Sequence, residues 1–447
     1  MSAVKKMAQA DKNLVLGLGV TGLSIARYLR RNGLDATFYD SCENPPGADE
    51  LADVWPDADV ISGDVKFPKK IGRIVVSPGI ADSHPMLVAA RKAKREIVSD
   101  IELFARDAKA PFVAVTGSNG KSTVTTLLYH MCRAAGQNVL AGGNLGEPAL
   151  DLLDQGTPDR YVLELSSFQL QRTQSLPADV AVLLNVAPDH LDWHADENEY
   201  RQSKYRVYRE ARAAVVNRAD AVAGEHVSDL ESVVSFGLDE PDDGQYGIRL
   251  EDDTAYLARG STLLLAVDDM AMHGVHNQAN ALAALAAGEL IGLELSQMLQ
   301  VLCEFPGLPH RMQFVARVAA VDYINDSKAT NVAAAVASIE SVHGMLVLIA
   351  GGDGKGSDFG ELAAALENKL RAAVLVGKDA EKIASALDTV MPVYFAQDMD
   401  DAVQQAAQYA DSDETVLLAP ACASLDQYDN FAARGDAFRT AVEALRQ

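Results

Sequence analysis

A chain of 447 residues is too long for one hydrophobic core, and its length predicts about three domains. A hydrophobic content of 48% is that of an ordinary globular protein, while a formal charge of −24 argues against a nucleic-acid partner, whose phosphates want a basic face. Cys42, Cys132, Cys303 and Cys422 show no C-x-x-C spacing, so neither a zinc site nor a disulfide framework is indicated; small core residues in a reducing compartment are expected.

The first stretch, MSAVKKMAQADKN, carries lysines with no apolar run behind them, and no later stretch is long enough to span a bilayer. A cytoplasmic protein with no membrane partner is expected. Residues 13–16 form a short apolar strand, followed by Gly17-Leu-Gly19-Val-Thr21-Gly22 and an amphipathic helix over 23–31. The next strand, 36–39, ends at Asp40. This G-x-G-x-x-G between strand and helix brings backbone amides around Val20 and Thr21 up to a diphosphate or another anion; in a dinucleotide enzyme Asp40 would hold a ribose. A strand over 74–76 runs into Ser77-Pro78-Gly79-Ile80, which is either a tight turn or a ligand-facing edge. A basic helical segment over 85–95 leads to residues 97–106, expected to be a connector.

Residues 112–123, FVAVTGSNGKST, pass from a buried strand into a Gly-rich turn that ends in lysine and two hydroxyls. Gly117 and Gly120 permit backbone N–H groups to wrap phosphate oxygens, and a helix starting near Val124 points its positive end at the same oxygens. Lys121 supplies a point charge, and Ser122 or Thr123 a hydroxyl for magnesium. The turn is shorter than the Walker pattern, which needs a glycine where Val115 stands.

Strands over 139–141, 161–163, 180–184 and 213–216 alternate with helical or turn stretches, which predicts a largely parallel sheet. At its carboxyl edges fall Asn144 in GGNLG, Glu164 in YVLELSSFQL, and Asp189 and His190 in LLNVAPDHLDWH. An acidic strand end beside a phosphate loop is the expected second support for magnesium. Residues 239–256 are read as peripheral hairpins and turns. His276, Asn277 and Asn280 begin an Ala/Leu helix, as caps or as ligand contacts. The linker EFPGLPHR, 304–311, opens a third domain. Its strands, 321–324, 346–350, 374–376 and 416–418, include ones ending in NDSKATN, GGDGKG and PACASLDQYDNF, the habit of a doubly wound sheet. Lys355, within GGDGKG, is either merely exposed or placed for a carboxylate or phosphate.

TGSNGKST at 116–123, ELSSFQL at 164–170, Asn185 with Asp189-His190, Pro309-His310-Arg311 and residues 325–331 form an ordered set. Over essentially the whole chain it resembles the Mur ligase family, ATP-dependent amide-forming enzymes of peptidoglycan precursor synthesis. The resemblance implies an α/β fold of three domains. They are a Rossmann-like N-terminal domain for the UDP moiety (1–99), a central P-loop ATPase domain with a mostly parallel sheet (100–307), and a C-terminal Rossmann-like domain that closes over the nucleotide and brings the amino acid (308–447). GGDGKG and Ser424-Leu425-Asp426-Gln427 look most like the branch that adds D-glutamate to UDP-N-acetylmuramoyl-L-alanine. The alternatives are another amino-acid-adding branch or a folylpolyglutamate-type ligase, against which the N-terminal domain speaks.

Carried over by position, Val20, Thr21, Asp40, Ser41 and Gly79 would contact uridine diphosphate, and Asn144 and His190 the muramoyl-alanine. Gly117, Ser118, Asn119, Gly120, Lys121, Ser122, Thr123, Asn280, Arg311, Asp326 and Lys328 would meet ATP. Thr330, Lys355, Ser424, Leu425 and Phe431 would form the D-glutamate pocket, where a cation and a hydroxyl suit the side-chain carboxylate. Lys121, Glu164, His190 and Lys204 would be catalytic. Ser122 and Glu164 would hold one magnesium ion, and His190 and Lys204 a second. By the resemblance Lys204 carries a CO2-derived carbamate, since an ammonium cannot bind magnesium; read alone, Lys204 in NEYRQSKYRVY is a surface lysine on a charged helix. A monomer is expected. Two other classes compete: a nucleotide-gated binding module, disfavoured by the acidic and histidine strand ends, and an NAD-dependent oxidoreductase, suggested only by the N-terminal glycines.

Overall fold

Short apolar runs, each followed by a glycine-rich or polar turn and mostly by a helix, fold as three sheets. The computed structural model describes residues 12–446 apart from 64–65, 69, 188–192, 195, 343 and 388–391. Two compact units are formed, one from Met1–Asp269 with Ala279–Leu302, the other from Met270–Gln278 with Cys303–Gln447.

The first unit holds two sheets. One comprises β1 (Lys12–Leu16), β2 (Ala36–Asp40), β3 (Asp59–Ser62), β4 (Ile71–Val76) and β5 (Glu96–Ser99) in the order β3-β2-β1-β4-β5, all parallel. Strand order reverses between β1 and β4, so the turns after them face one crevice, where ligands of open α/β sheets bind. The other sheet runs β14-β13-β12-β11-β10-β9-β6-β8-β7. Its strands are β6 (Phe112–Thr116), β7 (Val139–Gly143), β8 (Arg160–Glu164), β9 (Val180–Leu183), β10 (Ala213–Asn217), β11 (Ser232–Phe236), β12 (Tyr246–Glu251), β13 (Thr254–Arg259) and β14 (Thr262–Ala266). It is parallel as far as β12; β12, β13 and β14 form an antiparallel meander at one edge, which includes the hairpin expected near residue 250. One apolar core runs through both sheets, from Val15 and Phe38 to Phe104, Phe112, Tyr161 and Leu183. The Phe104 ring stands edge-on to Phe112 and Tyr161, and each such buried ring contributes about 1.5–3 kcal/mol.

The second unit holds β15 (Gln313–Val318), β16 (Val321–Asn325), β17 (Leu346–Gly351), β18 (Leu370–Val376), β19 (Val393–Phe395) and β20 (Thr415–Leu418) in the order β15-β16-β20-β17-β18-β19. Only β15 is antiparallel. The loops after β16, β20 and β17 therefore leave adjacent strand ends on one edge.

Three expectations change. Residues 97–106 are not a bare connector: β5 is followed by a helix, Asp100–Asp107, whose N-cap Ser99 accepts a hydrogen bond from Glu102 N. The helix after the phosphate turn begins at Lys121, a turn earlier than Val124. Cys132 and Cys422 are buried, but Cys42 lies in the exposed polar turn after β2 and Cys303 near the exposed end of the helix Leu295–Glu304. Among the described residues no helix is long and apolar enough to cross a membrane.

Candidate active site

The phosphate turn sits where β6 ends, between β8 and β9. Gly120 takes φ +82°, and a Cβ there would lie 2.2 Å from Asn280 Oδ1, so the turn needs glycine both for its backbone and for the asparagine packed against it. The helix Lys121–Ala134 begins with no side-chain cap, which leaves its first N–H groups to an anion. Two loop amides are already committed. Ser118 N donates to Asn185 O (2.9 Å) and Asn119 N to Asn185 Oδ1 (2.8 Å), while Asn185 Nδ2 returns a bond to Asn119 O. Asn185 is thus the brace that shapes the loop.

Lys121 Nζ donates to Gly117 O and Ser118 O, both at 2.9 Å. Lys204 is 2% exposed, not the surface lysine its charged helix suggests. Its Nζ donates to Gly117 O at 2.8 Å and lies 4.7 Å from the centre of the Tyr200 ring. Tyr200 is on the same helical face, one turn earlier, and its hydroxyl shares a 2.7 Å hydrogen bond with Ser118 Oγ. Sequence reasoning carried Lys204 over by resemblance and missed Tyr200, although the spacing of four residues was a usable signal.

Register pairs Val115 with Glu164, so the acidic strand end is level with the phosphate turn. Glu164 is 2% exposed; Oε1 accepts from Asn144 Nδ2 at 2.6 Å, and Oε2 is buried with no hydrogen-bond partner among the described residues. A buried carboxylate oxygen without a donor is costly, and a cation satisfies it. Among the described residues no cluster of three or more His, Cys, Asp or Glu side chains is poised for a metal. Magnesium takes one or two carboxylates and completes its shell with hydroxyls, water and phosphates. His190 and Asp189 lie outside the described residues.

The segment after Glu164 is fixed by its own chemistry. Ser166 and Gln169 form a reciprocal capping box on the short helix Ser167–Gln171. Gln169 Nε2 also donates to Asp100 Oδ2 (3.1 Å), Ser99 Oγ and Thr173 Oγ1 are 3.0 Å apart, and Glu102 accepts from Gln174 N and Ser175 N. Arg172 donates to Ile80 O and Asp82. The glutamate strand and the first sheet are thereby bolted together.

At the first sheet, a Cβ on Gly22 would fall 1.9 Å from Gly17 O, which explains the third glycine of the motif. Asp40 braces the turn: Oδ2 accepts from Leu18 N (2.8 Å) and Oδ1 from Cys42 N (2.9 Å). Val20 is 69% exposed at the start of its helix, Ser41 and Gly79 are exposed, and Thr21 is half-buried. Ser77 Oγ closes the crevice by donating to Gly17 O.

In the second unit, Asp326 is buried; Oδ1 accepts from Met312 N, Oδ2 from Ser338 Oγ, and burial raises its pKa above the usual carboxylate value. Arg311 lies close enough to act on that carboxyl through space. Lys328 Nζ stands 4.0 Å from the centre of the Phe431 ring. Asp353 and Ala423 exchange backbone hydrogen bonds at 2.9 Å, which brings the loops of Lys355 and Ser424 together. Ser424 is buried, Leu425 and Lys355 are exposed, and Thr330 is half-buried in the loop after β16. Arg311, Asp326, Lys328, Thr330, Lys355, Ser424, Leu425 and Phe431 all belong to this unit, whereas the phosphate turn and Asn280 belong to the first.

Three family models match successive stretches of the chain. Residues 11–99 match the Mur ligase MurD-like N-terminal domain, 115–288 the Mur ligase middle domain and 310–422 the Mur ligase glutamate ligase domain. The UDP-N-acetylmuramoylalanine–D-glutamate ligase of Nitrosococcus oceani is 47% identical over 440 residues, covering 98% of this chain and 97% of that protein. That of Legionella pneumophila strain Paris is 46% identical over 441 residues, covering 97% and 99%. Among solved structures, the MurF ligase of Thermotoga maritima in complex with ADP aligns with a TM-score of 0.61 at 17% identity, over 98% of this chain and 96% of that one. With matches that together span most of its length and relatives of this similarity, the chain belongs to the Mur ligase family.

Proposed function

We propose that this chain is an ATP-dependent, ADP-forming ligase that adds D-glutamate to UDP-N-acetylmuramoyl-L-alanine, the reaction for which its relatives are named. One observation carries the chemistry: a buried oxygen of Glu164, without a hydrogen-bond partner among the described residues, stands level with an uncapped helix N-terminus and a phosphate turn. In this reading residues 1–99 bind the UDP moiety, 100–307 bind ATP and 308–447 bring the amino acid, in a monomer of the cytoplasm.

The alanyl carboxylate attacks the γ-phosphorus of ATP, giving an acyl phosphate and ADP. The amine of D-glutamate then attacks the acyl carbon through a tetrahedral intermediate and expels phosphate. In the first step two anions approach each other. The amides at the start of the helix Lys121–Ala134 and the Lys121 ammonium offset that repulsion and hold the transferring phosphoryl group. Ser122 and Glu164 would hold one magnesium ion, and His190 with a carbamylated Lys204 a second; bound there, magnesium would neutralise phosphate charge. Val20, Thr21, Asp40, Ser41, Gly79 and Asn144 line the path of the UDP-linked substrate. Asn280 in the first unit, and Arg311, Asp326 and Lys328 in the second, are each assigned to ATP, and Thr330, Lys355, Ser424, Leu425 and Phe431 to D-glutamate.

The test is ADP release with UDP-N-acetylmuramoyl-L-alanine, ATP and magnesium, challenged in parallel with D-glutamate, L-glutamate, L-lysine, diaminopimelate and D-alanyl-D-alanine. Turnover with D-glutamate alone is expected. Turnover with another amino acid instead overturns the substrate assignment, and turnover with none overturns the ligase.

A further inference from the structure

Arg434 is 2% exposed, on the helix Phe431–Ala444 that starts with one of the residues assigned to D-glutamate. Its guanidinium reaches all three loops that carry the others. Nε donates to Ser327 Oγ (3.0 Å) and Nη2 to Ser327 O (2.9 Å), in the loop after β16 that carries Lys328 and Thr330. Nη1 donates to Cys422 O (3.1 Å), in the loop after β20 that leads to Ser424 and Leu425, and to Gly351 O (3.4 Å), where β17 opens into the loop of Lys355. Ser327 Oγ in turn donates to Phe431 O (2.8 Å), which closes the set onto the arginine's own helix. A Cβ on Gly352 would lie 3.3 Å from Nη1, so the loop is packed onto the guanidinium.

Every acceptor of this cation is neutral. No carboxylate oxygen of the described residues lies within 4.0 Å of it, and Asp426 acts on it only through space. Burial depresses its pKa to about 10, which still leaves it charged at neutral pH. A buried charge ordinarily has a partner ion, because desolvation without one is costly. Arg434 holds its charge on hydrogen bonds to neutral oxygens, with Asp426 supporting it only from a distance, beside a pocket assigned to an amino acid with two carboxylates.

We propose that Arg434 is the positioning residue of the D-glutamate pocket: its fork fixes the three loops in register, and its charge, in direct contact with no carboxylate of the described residues, favours a dicarboxylate amino acid among them. This rests on the ligase reading above. Arg434 does not touch the substrate in this account; it works through Ser327, Cys422 and Gly351.

The experiment compares wild type, Arg434→Lys, Arg434→Met and Ser327→Ala in the full chain by ADP release, with KM determined separately for D-glutamate, ATP and UDP-N-acetylmuramoyl-L-alanine. Wild-type turnover with D-glutamate comes first, since its failure sinks the ligase reading and not this inference alone. Arg434→Met is expected to raise KM for D-glutamate about 30-fold, with the other two KM values within about threefold, because a hydrogen-bonded charge is lost from one substrate's surroundings. Arg434→Lys, which keeps the charge and loses the fork, falls between. Ser327→Ala, which retains the arginine, raises the same KM about tenfold and serves if Arg434→Met does not fold. An equal change in all three KM values, or a fall in kcat with KM for D-glutamate unchanged, overturns the proposal.

Discussion

Glu164 has one meaning in the sequence and a sharper one in the fold. Its position after an apolar strand and near a Lys-Ser-Thr turn made it a magnesium candidate from sequence, but the same pattern describes many solvated strand-end carboxylates. Only burial, and an Oε2 with no hydrogen-bond partner among the described residues, separate the two cases. If that oxygen takes magnesium, Glu164→Gln replaces a charged ligand with an amide that is neutral and poorly coordinating. The variant is expected to need about tenfold more magnesium for half-maximal ADP release and to lose about a hundredfold in kcat. A magnesium titration identical to wild type would contradict the assignment. Lys204 taught the opposite lesson: its helix is charged and hydrophilic by composition, yet the lysine points inward to Gly117 O, because burial depends on which helical face meets the loop. Arg434 was illegible in sequence for a related reason, since its acceptors lie on loops 12 to 107 positions away.

At the scale of elements, strands with strong apolar runs were legible, and so were the glycine turns after them. The strands that escaped notice, such as β3 and β19, are short and partly exposed, so no core pattern marks them. Gly22 illustrates a turn whose logic could be stated early. With its Cβ position 1.9 Å from a backbone oxygen, Gly22→Ala must push the helix Val20–Arg31 off β1. A loss of about 2–4 kcal/mol in urea unfolding is expected, and a loss under about 0.5 kcal/mol would show the packing to be looser than described. The helix Asp100–Asp107 offers a pH test. Burial raises the Asp100 carboxyl from 3.8 to about 6, with Gln169 pulling the other way. A carboxyl whose folded pKa lies above its unfolded one weakens the fold once ionised. The penalty is absent below 3.8, grows as pH rises through about 6, and is complete above it. Asp100→Asn should therefore raise Tm by about 3 °C more at pH 8 than at pH 3.5. A gain independent of pH would place the effect elsewhere.

For the whole molecule, the alternation of strand and helix made the three-sheet α/β architecture legible, and the order of motifs made the family legible. What the pattern could not supply was wiring: that Asn185 shapes the phosphate turn, that one core runs through two sheets, and that the capping-box segment after Glu164 is tied to Asp100 and Glu102. These depend on pairs far apart in the chain, which local periodicity does not encode. In the proposed reaction the carboxylate of a UDP-linked alanine is phosphorylated and then joined to D-glutamate. Its most direct measurement uses substrate with both alanyl carboxylate oxygens replaced by the heavy isotope, followed by mass spectrometry of the released phosphate and of the product. One heavy oxygen is expected in each phosphate and one in each new amide. Phosphate without label, or ATP cleavage with no amide formed, would contradict it.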